Sequence, residues 1–251
     1  MLFYGALSFK VCVALFMLLC TYELFAMAGA LHHTPAMILA MLTIGLLFAI
    51  TLRVDLSPWL SHPAVISAVF LWMAWYMAEL ALKRIYWLKH PLALCVRAVF
   101  LFGVCALYLV LLRDGTQGLV WTLWILCIVW VNDTSAYLTG RRFGKHPLAP
   151  SVSPRKTIEG AVGALLGSMV AAVLLGLWFF DVAWYELLGF GALASALAQL
   201  GDLHESLVKR KFEVKDSGTL FPGHGGVYDR VDSFIFLAPA AYYFVRLLIS
   251  G

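Results

Sequence analysis

Charge is the scarce ingredient of this chain. Only 13% of its 251 residues are charged, against 63% that are apolar, and its mean hydropathy is +0.89. Soluble domains carry about 25% charged residues and fewer than half apolar ones, so an ordinary water-soluble globule is excluded and most of the surface must face lipid. Disorder and a coiled coil are excluded with it. Cysteine is sparse too: Cys12, Cys20, Cys95, Cys105 and Cys127 all fall inside apolar runs, and no C-x-x-C spacing occurs. That removes zinc and dithiol chemistry and leaves five small hydrophobes expected to be buried. A Walker-type phosphate loop is missing as well. Gly140 to Lys145 reads G-x-x-x-G-K followed by His146, which is too short and lacks the Ser or Thr that would hold the metal.

What is abundant is apolar run length. Cutting the sequence wherever charge, proline or polar glycine-rich stretches interrupt runs of about 17 to 25 residues, the length of a bilayer-crossing helix, gives eight segments. They are Val11 to Ala28, Pro35 to Leu52, Pro63 to Leu82, Leu92 to Leu112, Gly118 to Leu138, Ile158 to Phe180, Val182 to Leu200 and Ser233 to Ser250. Lipid cannot satisfy the backbone of an open strand, so each segment must be a helix. The fold class expected is therefore an all-α polytopic membrane bundle of about eight transmembrane helices. Residues 1–117 are read as N-terminal transmembrane helices and 118–251 as a catalytic transmembrane region with two polar cytoplasmic connections. The first segment has only Lys10 before it, runs past the usual signal-peptide length and has no clear small-residue cleavage site, so it is expected to be retained.

Basic residues take sides. The connections after the first, third, fifth and seventh segments hold 13 of the 18 Lys and Arg, and the opposite side holds Lys10, Arg53 and Arg113. Positive loops stay in the cytoplasm, so both termini of this chain are expected to face outward. The net charge of +4 is then divided among short loops and forms no continuous stripe, which argues against nucleic acid as a partner. Arg97 and Arg246 lie inside segments, where they pack, pair or snorkel. Gly163 and Gly167 form a G-x-x-x-G that suits close helix packing.

Two polar stretches carry the chemistry. The connection Gly201 to Asp232 holds six of the 14 acids, Asp202, Glu205, Glu213, Asp216, Asp229 and Asp232, interleaved with Lys209, Arg210, Lys211, Lys215 and Arg230. A lipid-headgroup tether needs only the bases. A metal nucleotide needs carboxylates for the cation and bases for phosphate. If the seventh helix continues past Leu200, then Asp202, Glu205 and Ser206 share a face. Asp229 and Asp232 are three apart just before the eighth segment, and magnesium favours one or two carboxylates together with phosphate and water. Asp202 and Asp229 are the leading ligands, and Glu205 and Asp232 complete the candidate set. A solvated loop of ordinary ion pairs is the competing reading of the same spacing. Between these acids, the run Pro222 to Gly226 supplies glycines, Gly225 and Gly226, that leave room for a phosphate, and His224 offers it a donor.

The second stretch follows segment five. Asn132 and Asp133 lie within apolar surroundings, where a charge costs about 2.5 to 3.5 kcal/mol on insertion scales, so a polar cavity is expected around them. Beyond them come Arg141, Lys145, Ser153, Arg155, Lys156 and Thr157. The last three open segment six, where a helix N-terminus assists phosphate binding; positive-inside anchoring is their alternative role.

The run from Ser206 through Lys209-Arg210, Lys215-Asp216-Ser217-Gly218 and Pro222-Gly-His224-Gly-Gly-Val-Tyr-Asp229-Arg230-Val-Asp232 resembles the signature of phosphatidate cytidylyltransferases, also called CDP-diacylglycerol synthases. Asn132-Asp-Thr, Gly140-Arg-Arg-Phe-Gly-Lys145 and Ser153 to Gly160 resemble that family's other polar block in the same order. Together the match spans roughly residues 130 to 235; the first 120 match mainly in hydropathy.

The resemblance implies an integral membrane enzyme, usually a homodimer, in the bacterial inner membrane with its site facing the cytoplasm. Such an enzyme joins CTP to phosphatidic acid among the membrane lipids and gives CDP-diacylglycerol and pyrophosphate. It implies magnesium, with potassium as a second cation. Asp202 and Asp229 then become the metal centre, with Asp216, Asp232, Lys209, Arg210, Lys215 and His224 as supporting contacts. The family fold has nine membrane helices, while this chain offers eight and begins just before a segment that resembles the second. Rival readings are a CTP-dependent lipid kinase, a cytidylyltransferase for another lipid phosphate, and an ion or lipid transporter.

Overall fold

The computed structural model describes residues 6–85, 90–220 and 225–250. Eight long helices occupy the eight expected places: α1 (Ala6–Met27), α2 (Thr34–Thr51), α3 (Pro63–Leu82), α4 (Pro91–Asp114), α5 (Gly118–Phe143), α6 (Ile158–Phe179), α7 (Trp184–Lys211) and α8 (Phe234–Ser250). Single turns at Ser57–Leu60 and Tyr228–Val231 precede α3 and α8. Proline stands in the first turn of α2, α3 and α4, where its missing N–H would be unbonded anyway and its fixed φ already suits a helix.

Seven spans among the described residues are long and apolar enough to cross a membrane. The remaining helix, α7, is rich in Gly, Ala and Ser up to Leu200 and then runs on into charge. Small residues suit its place: α7 packs against α5, α6 and α8, so it meets protein where the other helices meet lipid. Outward-facing apolar side chains on the spans are nearly bare. Leu42 is 66% exposed, Leu71 71% and Trp178 86%, which is tolerable only in lipid. The chain is an all-α polytopic membrane protein.

Two extensions matter for function. α5 continues to Phe143, five residues past the expected end at Leu138, and carries Arg141 and Arg142 in its last turn. α7 continues to Lys211, so Asp202, Glu205 and Ser206 do share one helical face. The connection between α5 and α6 is a small antiparallel hairpin, β1 (Pro147–Ala149) with β2 (Ser153–Thr157), paired through Pro147 with Thr157 and Ala149 with Ser153. Residues 153–157 therefore form a strand that leads into α6, and Thr157 caps that helix by accepting from the Gly160 N–H at 3.1 Å.

Contacts between distant residues fix which ends lie together. Lys10, early in α1, pairs with Asp114 at the end of α4 at 2.5 Å and donates to the carbonyl of Thr51 at the end of α2 at 2.9 Å. At the other end, Arg97 makes a two-pronged pair with Glu79, at 2.9 and 2.7 Å. This resolves Arg97 as a buried partner rather than a snorkelling cation. Glu79 also approaches His204 of α7 at 3.6 Å, and the His204 ring sits between Tyr76 and Phe236.

Cysteine proves less uniform than expected. Cys20, Cys95 and Cys105 are buried, but Cys12 and Cys127 are only partly so. Cys105 also has a polar task. Pro239 inside α8 has no N–H for the carbonyl four residues back, and the Cys105 thiol donates to that carbonyl, on Ile235.

The tightest interface is α5 against α6. A methyl group on Gly163 would run into Thr139, and one on Gly167 into Ser135, so the G-x-x-x-G is a packing seam. Gly45, by contrast, faces open space. Gly163→Val should destabilise the bundle by about 1 to 3 kcal/mol through overpacking, whereas Gly45→Ala should be neutral or stabilising by up to about 1 kcal/mol. Thermal unfolding of both variants in the same detergent checks the contrast.

Candidate active site

The polar end of the bundle gathers acids from two elements, α7 and the turn before α8. Asp202 and Glu205 come from α7, and Asp232 from the turn that enters α8. One carboxylate oxygen from each lies within 4.8 Å of the others, and Glu205 and Asp232 are buried. What allows this is Gly201: a methyl there would collide with the carbonyl oxygen of Asp232. The glycine lets the α8 entry come against α7 at the level of Asp202. Asp232 is held by the Ser233 N–H at 2.7 Å. Among the described residues this is the only His, Cys, Asp and Glu group placed to hold a metal ion.

Asp229 stands beside this trio rather than in it. Its Oδ1 accepts from Lys209 at 2.6 Å, and its Oδ2 accepts from the N–H groups of Ser217 at 2.9 Å and Gly226 at 2.7 Å. Lys209 reaches Glu205 at 2.6 Å with the same ammonium, so one lysine links the trio to Asp229. Glu205 Oε1 is buried without a hydrogen-bond partner. On the other side, Lys156 from β2 pairs with Asp202. Four carboxylates thus meet two ammonium groups, and one buried carboxylate oxygen is left without a partner. The unbalanced negative charge in a partly dry site calls for a cation.

Asp202 faces two ways. It belongs to the acid trio, and it also forms part of a cleft of about 500 Å³ whose walls include Asn132, Asp133, Arg141, Arg155, Lys156 and Gly160. Asn132 is buried, with its Oδ1 accepting from Ser195 at 2.7 Å and Ser168 at 3.3 Å and its Nδ2 donating to Asp133 at 3.1 Å. The polar cavity expected around Asn132 and Asp133 is therefore present. Arg141 donates to Tyr137 at 3.3 Å, and Arg155 is exposed on the hairpin. The N-terminus of α6 opens onto the same cleft, because Thr157, Gly160 and Ala161 line it.

The other expected residues are spread more widely. Ser206 is buried beside Glu205. Arg210 binds main-chain carbonyls of Val152 at 3.2 Å and Val214 at 3.4 Å, tying the hairpin to the connection after α7. Lys145 contributes its N–H to Glu159 at 3.1 Å, and Ser153 sits in the strand pairing. Lys215, Asp216 and Arg230 are exposed. Gly225 has φ +83°, and the space beside Gly226 is taken by Ser217 and the carboxylate of Glu23. His224 lies outside the described residues.

Glu23 itself is a residue the composition-led reading passes over, as are Glu79, Ser195 and Ser217. A lone acid in an apolar run is the signal that would have found the first two.

Lys209 bridges the buried Glu205 and the largely buried Asp229, so its loss should be felt. Lys209→Met should cost about 3 kcal/mol by leaving Glu205 and Asp229 uncompensated, and Lys209→Arg should cost less. Unfolding of the purified variants in nanodiscs measures both.

A family model described as Cytidylyltransferase family matches residues 1–248. The phosphatidate cytidylyltransferase of Staphylococcus saprophyticus is 43% identical over 148 residues, 59% of this chain and 56% of that protein. That of Staphylococcus aureus strain COL is 44% identical over 149 residues, with the same shares covered. The phosphatidate cytidylyltransferase of Bacillus subtilis strain 168 is 38% identical over 152 residues, 60% of this chain and 56% of that protein. The chain spans about half the length of the curated relatives it matches.

Proposed function

The chain belongs to the cytidylyltransferase family, and from that premise we propose that it transfers CMP from CTP to phosphatidic acid, forming CDP-diacylglycerol and pyrophosphate. One observation carries the reading. A basic cleft and a buried acid trio share a single residue, Asp202, so phosphate-binding and cation-binding groups meet at one point.

In this reaction a phosphate oxygen of phosphatidic acid attacks the α-phosphorus of CTP. The new P–O bond forms as the bond to the β-phosphate oxygen breaks, and pyrophosphate leaves with the electron pair. No covalent enzyme nucleophile is required. The protein's work is alignment and charge neutralisation. Arg141, Arg155 and Lys156 line the cleft and are placed to hold the triphosphate, with the α6 N-terminus adding its partial positive charge.

Magnesium fits the acid trio, whose buried Glu205 Oε1 has no partner of its own. Asp202, Glu205 and Asp232 would hold it, with Asp229 setting the position of Lys209. When bound, magnesium supplies Lewis-acid neutralisation of charge on the phosphate oxygens. Potassium as a second cation and a homodimeric assembly belong to the same proposal. So does the orientation: the basic connections support a site facing the cytoplasm in a bacterial inner membrane, where CTP would arrive from water while the acyl chains stay in lipid.

The test is purified protein with labelled CTP, phosphatidic acid and magnesium, with lipid product and pyrophosphate measured together. Stoichiometric CDP-diacylglycerol and pyrophosphate support the reading. Release of CDP would make the protein a lipid kinase, and cation or lipid flux without CTP turnover would make it a transporter. Asp202→Asn and Asp232→Asn should each lower kcat by about 100-fold or more while leaving membrane insertion intact. Gly201→Ala should weaken magnesium dependence without removing a carboxylate, because it forces the trio apart. Wild-type turnover in the two Asn variants would remove the trio from the chemistry.

A further inference from the structure

Glu23 sits near the end of α1 and is 6% exposed. A charge at the centre of an apolar helix costs about 2.5 to 3.5 kcal/mol on insertion scales and less toward its end, and a carboxylate as buried as Glu23 still needs donors around it. Two come from more than two hundred residues away. The Val227 N–H donates to Glu23 Oε1 at 2.9 Å and the Tyr228 N–H to Oε2 at 2.9 Å. Both belong to the entry of the turn Tyr228–Val231, where backbone donors have no helical partner. The Ser217 hydroxyl lies 2.9 Å from Glu23 Oε2 and 2.8 Å from Asp229 Oδ2, standing between the two carboxylates.

The loop is shaped around this side chain. A methyl on Gly218 would meet Glu23 Oε1, and one on Gly226 would meet Ser217 Oγ and both Glu23 oxygens. At the other end of the turn, Asp232 donates its N–H to the Tyr228 carbonyl at 3.2 Å. Glu23 therefore grips the beginning of the turn that ends at Asp232, and through Ser217 it touches the carboxylate that orients Lys209.

We propose that Glu23 is a positioning residue for the acid centre: a carboxylate of the first membrane helix that clamps the loop carrying Asp229 and Asp232 against α7. This rests on the proposed function for its kinetic consequences, but the clamp itself is measurable without turnover. Glu23 touches neither cleft nor trio among the contacts above. Its effect must travel through the 217–232 loop and not through the basic groups that hold the triphosphate. Glutamine in its place keeps the size but turns a donor toward N–H and O–H groups that are themselves donors.

The experiment uses the full chain in nanodiscs, with Glu23→Gln, Ser217→Ala and the double variant. Three quantities are measured: amide hydrogen exchange, manganese binding by electron paramagnetic resonance, and steady-state kinetics. Glu23→Gln should raise exchange at Val227 and Tyr228 by about ten-fold, the loss of one buried hydrogen bond, with α5 and α6 amides unchanged. Manganese affinity should fall about ten-fold, as for other groups that support metal ligands, while KM for CTP at saturating magnesium stays within about two-fold of wild type. Ser217→Ala keeps the two N–H bonds from Val227 and Tyr228 to Glu23 and removes only the hydroxyl that stands between Glu23 and Asp229. Its smaller loss should not add to that of Glu23→Gln in the double variant.

Unchanged exchange at Val227 and Tyr228, or raised exchange with wild-type manganese affinity, overturns the proposal. So does a KM for CTP that rises in step with the metal effect. If Glu23→Gln does not fold, Ser217→Ala alone decides: undiminished manganese affinity there refutes the link to the acid centre. Wild-type protein that binds manganese but makes no CDP-diacylglycerol sinks the proposed reaction and leaves the clamp to be judged on exchange and binding.

Discussion

A buried carboxylate must find a counter-charge or a ring of donors, and the polar end of this bundle is organised by that requirement. Each acid meets it differently. Glu79 takes the two-pronged guanidinium of Arg97. Glu23 takes two backbone N–H groups and a hydroxyl. Asp229 takes a lysine and two more N–H groups, and Asp202 takes Lys156. Glu205 and Asp232 are what the protein leaves under-neutralised, with a shared lysine for the first and only the N–H and hydroxyl of Ser233 for the second. Acids that served stability alone would be supplied as fully as Glu23 is. The shortfall is concentrated where three carboxylates converge, and that geometry is what supports the proposal of a cation there.

Convergence of that kind needs backbone proximity before it needs charge. Gly201 admits the carbonyl of Asp232, and Gly160, Gly163 and Gly167 let α5 and α6 close on one another. The two seams have different consequences. The α5–α6 seam brings the base-bearing end of α5 beside the hairpin and so builds the cleft. The Gly201 contact brings α8 to α7 and so builds the trio. Because α7 packs against both pairs, Asp202 can take part in each. A membrane bundle has little hydrophobic drive between its helices, so the small residues that permit close approach set the geometry of the site as directly as its acids do.

Much of this was legible in the residues. Helix number and place follow from apolar run length, since a bilayer leaves the backbone no other solution. The shared face of Asp202 and Glu205 follows from helical spacing once α7 is carried past Leu200. The choice between Asp229 and Asp232 was not legible. They stand three apart before α8, and which one meets Asp202 and Glu205 depends on the rotation of a single turn and on the missing side chain of Gly201. The hairpin at 147–157 was hidden because its short strands are held by only two residue pairings and carry little apolar pattern. Glu23 and Glu79 were hidden for a different reason. Their partners lie up to 205 residues away, and local pattern carries no trace of such a contact.

The position of Glu23 also bears on why the N-terminal helices belong with the rest. In hydropathy they read as generic membrane anchors, and an anchor needs only apolar surface. Yet α1 sends Glu23 into the loop before α8, and α3 and α4 place the Glu79–Arg97 pair against His204, between Gly201 and Glu205 in the α7 sequence. Both insertions put charge into apolar helices, at a cost that lipid anchoring alone would never recover. The Glu79–Arg97 pair reaches α7 beside Glu205, and Glu23 reaches the segment that carries Asp229 and Asp232. Helices α1, α3 and α4 therefore help hold the polar end in register, and the acid centre depends on them as well as on the second half of the bundle.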